Sequence, residues 1–174
     1  MSTPPGWDGI LDTGETILWQ GRPDGRLQLR PQSWPAFLFG CFFAGFALIW
    51  MILASAAGGG MWMFGLIHFT VGLAVALGPN AWSAWRRRHS WYTLTDRRAF
   101  VATDLPLAGR GLASYPIGPT TRIVLTGGSP PSIHFATRTR RGKSGSYEVP
   151  LGFESLYDAP EVYALMRRIQ RGET

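Results

Sequence analysis

The sequence predicts an α+β membrane protein, in which a two-helix transmembrane hairpin is combined with an antiparallel β-sheet or small barrel and a closing C-terminal helix. The 55 residues from Pro31 to Trp85 contain no Asp, Glu, Lys or Arg. After residue 90, aromatic and β-branched runs alternate with turn residues, which is typical of antiparallel strands. Near the end of the chain, apolar residues recur with the spacing of an amphipathic helix.

The uncharged block, residues 34–85, is predicted to form two membrane-spanning helices over about residues 36–57 and 61–82. About 20 apolar residues are needed to cross a hydrocarbon core of about 30 Å, and the first run is long enough. The triplet Gly58-Gly59-Gly60 separates the two runs, because glycine disfavours helix and permits a tight turn. A buried helix pair in a soluble protein is the alternative, and so long a run without charge argues against it.

Arginines on both sides of this block predict its orientation. The loop between the two helices has no charge, whereas basic residues flank both outer ends, so the positive-inside rule predicts a two-pass protein with both termini in the cytoplasm. The flanking residues are Arg22, Arg26 and Arg30 before the block and Arg86, Arg87 and Arg88 after it.

Small residues predict where the two helices pack. Gly40 and Ala44 are four residues apart, as are Gly72 and Ala76, and Gly65 precedes Gly72 by seven. Small residues at a spacing of four allow two helices to approach closely. The same surface is also suited to a partner protein within the bilayer.

Two other side chains in the block are weak candidates for function. His68 is an ionisable group in the second predicted helix, and such residues are often functional. No carboxylate or second histidine accompanies it, so a neutral ring that hydrogen-bonds across the hairpin or lies near the outer interface is preferred. Cys41 is the only cysteine of the chain, which excludes an internal disulfide.

The N-terminal segment divides into a flexible part, residues 1–13, and a more ordered part, residues 14–33. Glu15 to Gln20 is compatible with a strand, bounded by glycines and a proline, and it is followed by the basic lead-in to the first helix. A single strand is not stable alone, so this one must join a sheet formed after residue 90.

Residues 86–174 are predicted to form a cytoplasmic domain of strands followed by one helix. Asp158 and Glu161 have the spacing of a capping box, Pro160 lies in the first turn, and the helix is predicted over residues 158–171. Its apolar stripe is Val162, Leu165, Met166 and Ile169. The predicted strands are residues 90–95, 98–103, 112–117, 121–126, 132–138 and 146–153, with a basic hairpin tip at 140–145.

Several of these segments resemble the bacterial PH-domain membrane proteins. The segments are Gly14-Glu15-Thr16-Ile17-Leu18-Trp19-Gln20-Gly21-Arg22-Pro23, the apolar hairpin, Tyr92-Thr93-Leu94-Thr95-Asp96-Arg97-Arg98, and Asp158-Ala159-Pro160-Glu161-Val162-Tyr163. The resemblance implies a PH-like fold, a bent antiparallel sheet of about seven strands capped by a C-terminal helix, in the bacterial inner membrane. It supplies a partner sheet for the first strand. It implies no catalytic residue.

Catalytic and metal-binding patterns are not evident in the sequence. Gly142-Lys143-Ser144 resembles the end of a phosphate-binding loop, but the preceding glycine of that motif is replaced by Thr137. His68, His89 and His134 do not have metal-ligand spacing. We therefore expect neither enzymatic activity nor a cofactor.

The charge distribution indicates binding partners instead. The chain has a net charge of +6, with sixteen Arg and one Lys, and residues 86–171 carry fourteen basic and six acidic side chains. Such a domain favours anionic lipid or an acidic protein over nucleic acid, although part of the excess is a solvated face and a topology signal. The preferred hypothesis is a scaffold or binding module, and the alternative is an accessory subunit of a larger membrane complex or a homo-oligomer. The candidate contact residues are Arg86, Arg87, Arg88, Arg138, Arg140, Arg141 and Lys143.

Overall fold

A computed structural model describes residues 6–28, 33–106, 109–142 and 145–173. It confirms the predicted α+β class, with two long apolar helices and antiparallel sheets. The elements, in chain order, are β1 (Ile17–Gly21), α1 (Trp34–Ala56), α2 (Met63–Arg88), β2 (Ser90–Thr95), β3 (Arg98–Leu105), β4 (Gly109–Pro116), β5 (Val124–Thr126), β6 (Ser132–Gly142), β7 (Gly145–Phe153) and α3 (Ala159–Arg171).

The chain forms two compact units, and the second is inserted into the first. One unit contains residues 1–24 and 86–174, and the other contains residues 25–85. The strand β1 pairs antiparallel with β2, so that Ile17 lies opposite Thr95 and Gly21 opposite Tyr92. The first strand therefore belongs to a sheet whose other strands all follow the two helices.

The strands of the described residues form two antiparallel sheets. The four-stranded sheet has the order β1-β2-β3-β4, and the three-stranded sheet has the order β5-β6-β7. Several sequence-based strand boundaries differ from the structure: β1 begins at Ile17 instead of Glu15, β3 continues to Leu105, and β4 begins at Gly109 instead of Leu112. β5 contains only three residues, and β6 continues to Gly142 through residues that we assigned to the hairpin tip. Residues 137–141, Thr-Arg-Thr-Arg-Arg, are exposed and contain no apolar residue, so apolar patterning gave no signal that this strand continues.

An aromatic cluster forms the core of the β unit. The Phe153 ring is fully buried, and its centroid lies 4.7 Å from that of Tyr92 and 5.1 Å from that of Phe135. Trp19 of β1 packs against the same ring at 5.5 Å. Side chains from both sheets therefore meet at Phe153, which lies at the end of β7.

The helix α3 covers this core with the predicted stripe. Val162, Met166 and Ile169 are buried, and Leu165 is partly buried against the same cluster. Gly172 ends the helix with φ of 70°, a left-handed conformation that glycine adopts without strain.

The predicted capping box at the start of α3 is wrong. Asp158 is the N-cap residue, but its side chain makes no capping hydrogen bond. Its carboxylate instead accepts a hydrogen bond of 2.6 Å from the Trp19 indole Nε1. The Asp158 carboxylate, which the sequence pattern had assigned to the helix backbone, is thus hydrogen-bonded to Trp19, a residue far away in the sequence.

The N-terminal residues 6–12 pack against the sheet, whereas their composition predicted flexibility. The Trp7 ring contacts Phe100 edge-on with centroids 5.2 Å apart, on the face of the sheet opposite the core. The Ile10 carbonyl accepts a hydrogen bond from Arg98, and the Asp12 carboxylate lies 3.0 Å from the same guanidinium. This contact covers Phe100, which is only 2% exposed.

Both long helices are apolar and long enough to cross a membrane. Only 17% and 22% of their most apolar stretches are buried, whereas a core helix of a soluble protein would be mostly buried. α2 extends to Arg88, beyond the predicted end near residue 82, and includes Pro79 within the helix. Three arginines form its last turn, where positive charge interacts favourably with the helix dipole.

The helices α1 and α2 meet at small residues. A Cβ atom at Gly72 would lie 2.7 Å from the Ala44 backbone nitrogen, and one at Gly40 would overlap the backbone of Gly72 and Ala76. Gly65 faces the side chains of Met51 and Trp50, so its neighbours there are adjustable side chains and not backbone. Between the helices, Gly58 and Gly59 have φ of 81° and 83°, which explains why glycine occupies the turn.

Candidate binding site

Glu15 and Arg98 form an ion pair that links the residues before β1 to the start of β3. The Glu15 side chain has no exposed surface, and its Oε2 lies 2.7 Å from an Arg98 terminal nitrogen. The Arg98 Nε also donates to this carboxylate, and the Thr95 hydroxyl donates to Oε1 at 2.6 Å. The Asp12 backbone N–H provides a further donor at 2.9 Å. The carboxylate is therefore surrounded by donors.

The hydrogen bonds from Arg98 lower the pKa of Glu15 to about 2, against the opposing effect of burial. Thr95 and the Asp12 backbone lower this pKa further. Glu15 therefore remains ionised through the physiological range, with its charge balanced by Arg98. This arrangement is structural, because the Arg98 guanidinium is occupied by internal partners, namely Glu15, Asp12 and the Ile10 carbonyl.

Asp96 joins the same two segments through Thr16. Its carboxylate accepts a hydrogen bond of 3.0 Å from the Thr16 backbone N–H, and its own N–H donates to the Thr16 carbonyl at 3.1 Å. Within the turn, the Thr95 hydroxyl accepts from the Arg98 N–H at 3.0 Å. The two sequence segments noted above, around residues 15 and 95, are thus held together directly.

Exposed arginines lie on the ribbon formed by β6 and β7. Arg138 is opposite Val149, Arg140 is opposite Tyr147 and Arg141 is opposite Ser146. Because successive side chains alternate between faces, Arg138 and Arg140 share one face and Arg141 lies on the other. Arg138, Arg140 and Arg141 are all exposed. Lys143 lies outside the described residues.

A cleft of about 350 Å³ opens between the edge strands β4 and β7. Its polar lining includes Arg86, Arg138, Tyr92 and Glu154. Arg86 forms an ion pair of 2.7 Å with Glu154, whose backbone N–H donates to the Tyr92 hydroxyl at 3.2 Å. The remaining wall is largely apolar and is formed by Val101, Leu112, Ala113, Tyr115 and Leu151.

The predicted basic residues at the end of α2 therefore have different surroundings. Arg86 lies in the cleft, and Arg88 is exposed. Arg87 also borders the cleft, but it is only 2% exposed and its Nε donates to the Asp24 carbonyl at 2.7 Å, which corrects its assignment to an exposed contact surface. Tyr92 and Glu154 were not predicted, because nothing in the local sequence links a strand residue to one that follows β7.

A second cleft, of about 490 Å³, lies between α1 and α2 near their connecting turn. Aromatic side chains dominate its lining, together with His68. The His68 Nδ1 lies 3.0 Å from the Phe64 carbonyl of its own helix, so the hydrogen bond is not the one predicted across the hairpin. The aromatic residues of the lining are Phe43, Phe46, Trp50 and Phe64.

Within the described ranges, no group of three or more His, Cys, Asp or Glu side chains is arranged to hold a metal ion. The donors that do converge are the arginines and the tyrosine of the β4–β7 cleft, which suit an anion. No family model matches the sequence, and no curated protein or solved structure matches it either.

Proposed function

We propose that this protein is a membrane-anchored binding or scaffold protein with a PH-like domain at the cytoplasmic face of the bacterial inner membrane. The observation that carries the proposal is the exposed basic ribbon of a β unit whose chain continues directly into two apolar helices. The partners are membrane lipid and membrane proteins, and binding is the function, without catalysis.

The topology supports the PH-like part of the proposal. A bent sheet of about seven antiparallel strands with one closing helix is the architecture that the family resemblance implies. Sheets of four and three strands followed by α3 agree with that description. The residues that carry the resemblance also serve the fold, since Glu15, Thr95 and Arg98 hydrogen-bond to one another.

The membrane part depends on the two apolar helices and their flanking charges. Exposed apolar side chains cover most of both helices, and burial of such surface in lipid removes it from water. Arginines at the outer ends and an uncharged turn favour two cytoplasmic termini. Reaction of single-cysteine variants near each terminus with impermeant reagents in oriented vesicles tests this topology. Labelling from the periplasmic side would contradict it.

The proposed binding of anionic lipid or an acidic protein depends on three arginines of the ribbon, Arg138, Arg140 and Arg141. Each basic residue close to an anionic surface contributes on the order of 1 kcal/mol, so three together give substantial, salt-dependent attraction. Hydrogen exchange tests this in the full chain, reconstituted in phosphatidylcholine nanodiscs with and without phosphatidylglycerol. Anionic lipid should slow exchange in residues 136–150, and high salt or the triple Arg→Gln variant should abolish the effect.

The outcome of this experiment distinguishes lipid from protein partners. If exchange in residues 136–150 is the same in both nanodiscs, the ribbon does not engage anionic lipid. An acidic protein would then have to be recovered with the wild-type chain, and lost with the triple variant, for the binding proposal to stand. The soluble fragment 86–174 is unsuitable for this purpose because it lacks β1.

The apolar cleft between α1 and α2 favours a second function, as an accessory subunit of a larger membrane complex. Its aromatic lining is suited to an apolar side chain or helix from a partner. Extraction of the full chain in a gentle detergent, followed by affinity isolation, tests this alternative. Recovery only as a free monomer or homo-oligomer argues against a larger complex.

A further inference from the structure

We propose that the β4–β7 cleft binds one molecule of an anionic phospholipid, with its phosphate between Arg86, Arg138 and the Tyr92 hydroxyl and its first apolar carbons along Leu112 and Leu151. This proposal builds on the proposed membrane function, but it assigns a defined site for a single ligand where the ribbon provides only a charged surface. Its support comes from the charge, the donors and the apolar wall of the cleft.

The charge of the cleft favours an anion. Arg86, Arg87 and Arg138 line it together with one acid, Glu154. That acid forms a 2.7 Å ion pair with Arg86, and three guanidinium groups in all line the cleft beside one carboxylate. Positive charge is therefore in excess, and Arg138 is an exposed guanidinium with no acidic partner among the described residues. Guanidinium groups bind phosphate oxygens with paired N–H donors.

Tyr92 supplies a neutral donor at the inner end of the cleft. Its oxygen accepts the Glu154 backbone N–H, whereas its own O–H proton has no acceptor among the described residues. Tyr92 is only 4% exposed, and burial raises its pKa, so the hydroxyl keeps its proton at neutral pH. A buried hydroxyl generally finds an acceptor, and a phosphate oxygen bound beside Arg86 would provide it.

The apolar wall indicates more than a free phosphate ion. Leu112 is 48% exposed, and it lines the cleft together with Leu151 and Val101. A volume of about 350 Å³ suits a head group with a short length of acyl chain. A phospholipid combines the phosphate and the apolar carbons that this lining can contact, and Arg86 directly follows the apolar block in the sequence.

Calorimetric titration of the full chain in a neutral detergent tests the site with dihexanoylphosphatidylglycerol as the probe. Saturable binding is expected, and Arg138→Gln should weaken it about tenfold, the effect of losing about 1.4 kcal/mol of charge-assisted hydrogen bonding. Arg122→Gln is the matched control, because Arg122 is an exposed arginine that lies outside both the cleft lining and the ribbon. It should change the affinity less than about twofold, within the range of surface substitutions.

Two further titrations identify the source of the phosphate and the role of the hydroxyl. Inorganic phosphate should bind at least about tenfold more weakly than the lipid, because it lacks the apolar part that contacts Leu112 and Leu151. Tyr92→Phe should weaken lipid binding several-fold while leaving the far-ultraviolet circular dichroism spectrum unchanged. Equal affinity for inorganic phosphate would overturn the assignment to a lipid.

Other outcomes separate this proposal from the broader one. Equal weakening by Arg138→Gln and Arg122→Gln would overturn the cleft site while leaving ribbon-based attraction to anionic membranes intact. Absence of saturable binding would also overturn it. A third outcome would contradict the ribbon proposal alone. In it, anionic nanodiscs do not slow hydrogen exchange in residues 136–150, but the short-chain lipid still binds and its binding depends on Arg138.

Discussion

The helical pair and the β unit are held together by different kinds of contact. α1 and α2 meet where glycine and alanine allow their backbones to approach, and the stretch from Pro31 to Trp85 carries no Asp, Glu, Lys or Arg. The β unit combines an aromatic core with a buried ion pair between Glu15 and Arg98. The first unit therefore depends on steric fit, and the second also depends on protonation state. Substitutions and pH should affect the two units differently.

The largest effect is expected for Arg98→Met in the β unit. The substitution leaves the fully buried Glu15 carboxylate without its cation, and breaking such a pair costs about 3 to 5 kcal/mol. Thermal unfolding in detergent, followed by near-ultraviolet circular dichroism, should show the loss. Arg141→Met is the control and should change stability by less than about 0.5 kcal/mol. Equal effects of the two variants would contradict the distinction between structural and surface arginines.

Acid should destabilise the β unit selectively. The pKa of Glu15 is about 2 in the folded protein, against an ordinary value of 4.5. The carboxylate therefore stabilises the fold fully above pH 4.5, and this contribution is lost as the pH falls from 4.5 toward 2, by about 3 kcal/mol. Denaturant unfolding at a series of pH values should show this slope for the wild type and not for Glu15→Gln. A similar acid sensitivity of the helical pair would contradict the comparison.

A steric substitution should affect the helical pair. Gly72→Leu places side-chain atoms against the backbone of Ala44, and overpacking of this kind costs about 1 to 3 kcal/mol. Gly78→Leu in the same helix is the matched control, because a Cβ atom at Gly78 has no neighbour within 4 Å. Cysteine cross-linking between α1 and α2 should decrease only for the first variant. A similar decrease for both variants would show that the contact surface is assigned wrongly.

The smallest effect is expected at the bond between Trp19 and Asp158. Trp19→Phe removes the indole donor at 2.6 Å from the carboxylate and should cost about 1.5 kcal/mol. A double-mutant cycle with Asp158→Ala should give a coupling energy of similar size. Additive effects of the two substitutions would mean that this polar contact does not stabilise the β unit.

Local sequence patterns predicted the helices and strands that depend mainly on residues close together in the chain. The uncharged block predicted two long apolar helices, and the aromatic and β-branched residues of Ser90 to Thr95 predicted β2 with its observed bounds. The stripe of Val162, Met166 and Ile169 predicted the buried face of α3. The requirement that a lone strand find a sheet pointed to a partner for β1, and β2 is that partner.

The features that were missed depend on residues far apart in the sequence. Asp158 was assigned to a local cap, and its carboxylate instead meets Trp19. Arg87 has the same flanking context as Arg86 and Arg88, but it is buried against the Asp24 carbonyl. The exposure of an arginine depends on which distant segments pack over it, and a count of charges in the local sequence gives no information about that packing. For the same reason, the cleft residues Tyr92 and Glu154 could not be grouped in advance.

The pairing of β1 with β2 also has a consequence for synthesis of the chain. β1 leaves the ribosome first, but its partner is not made until both long helices have been completed, several seconds later at ordinary translation rates. During that interval Ile17 and Trp19 have no sheet to join. Until β2 is made, β1 has an open strand edge that chaperones and proteases can recognise. The four-stranded sheet therefore cannot be completed until both long helices have been synthesised.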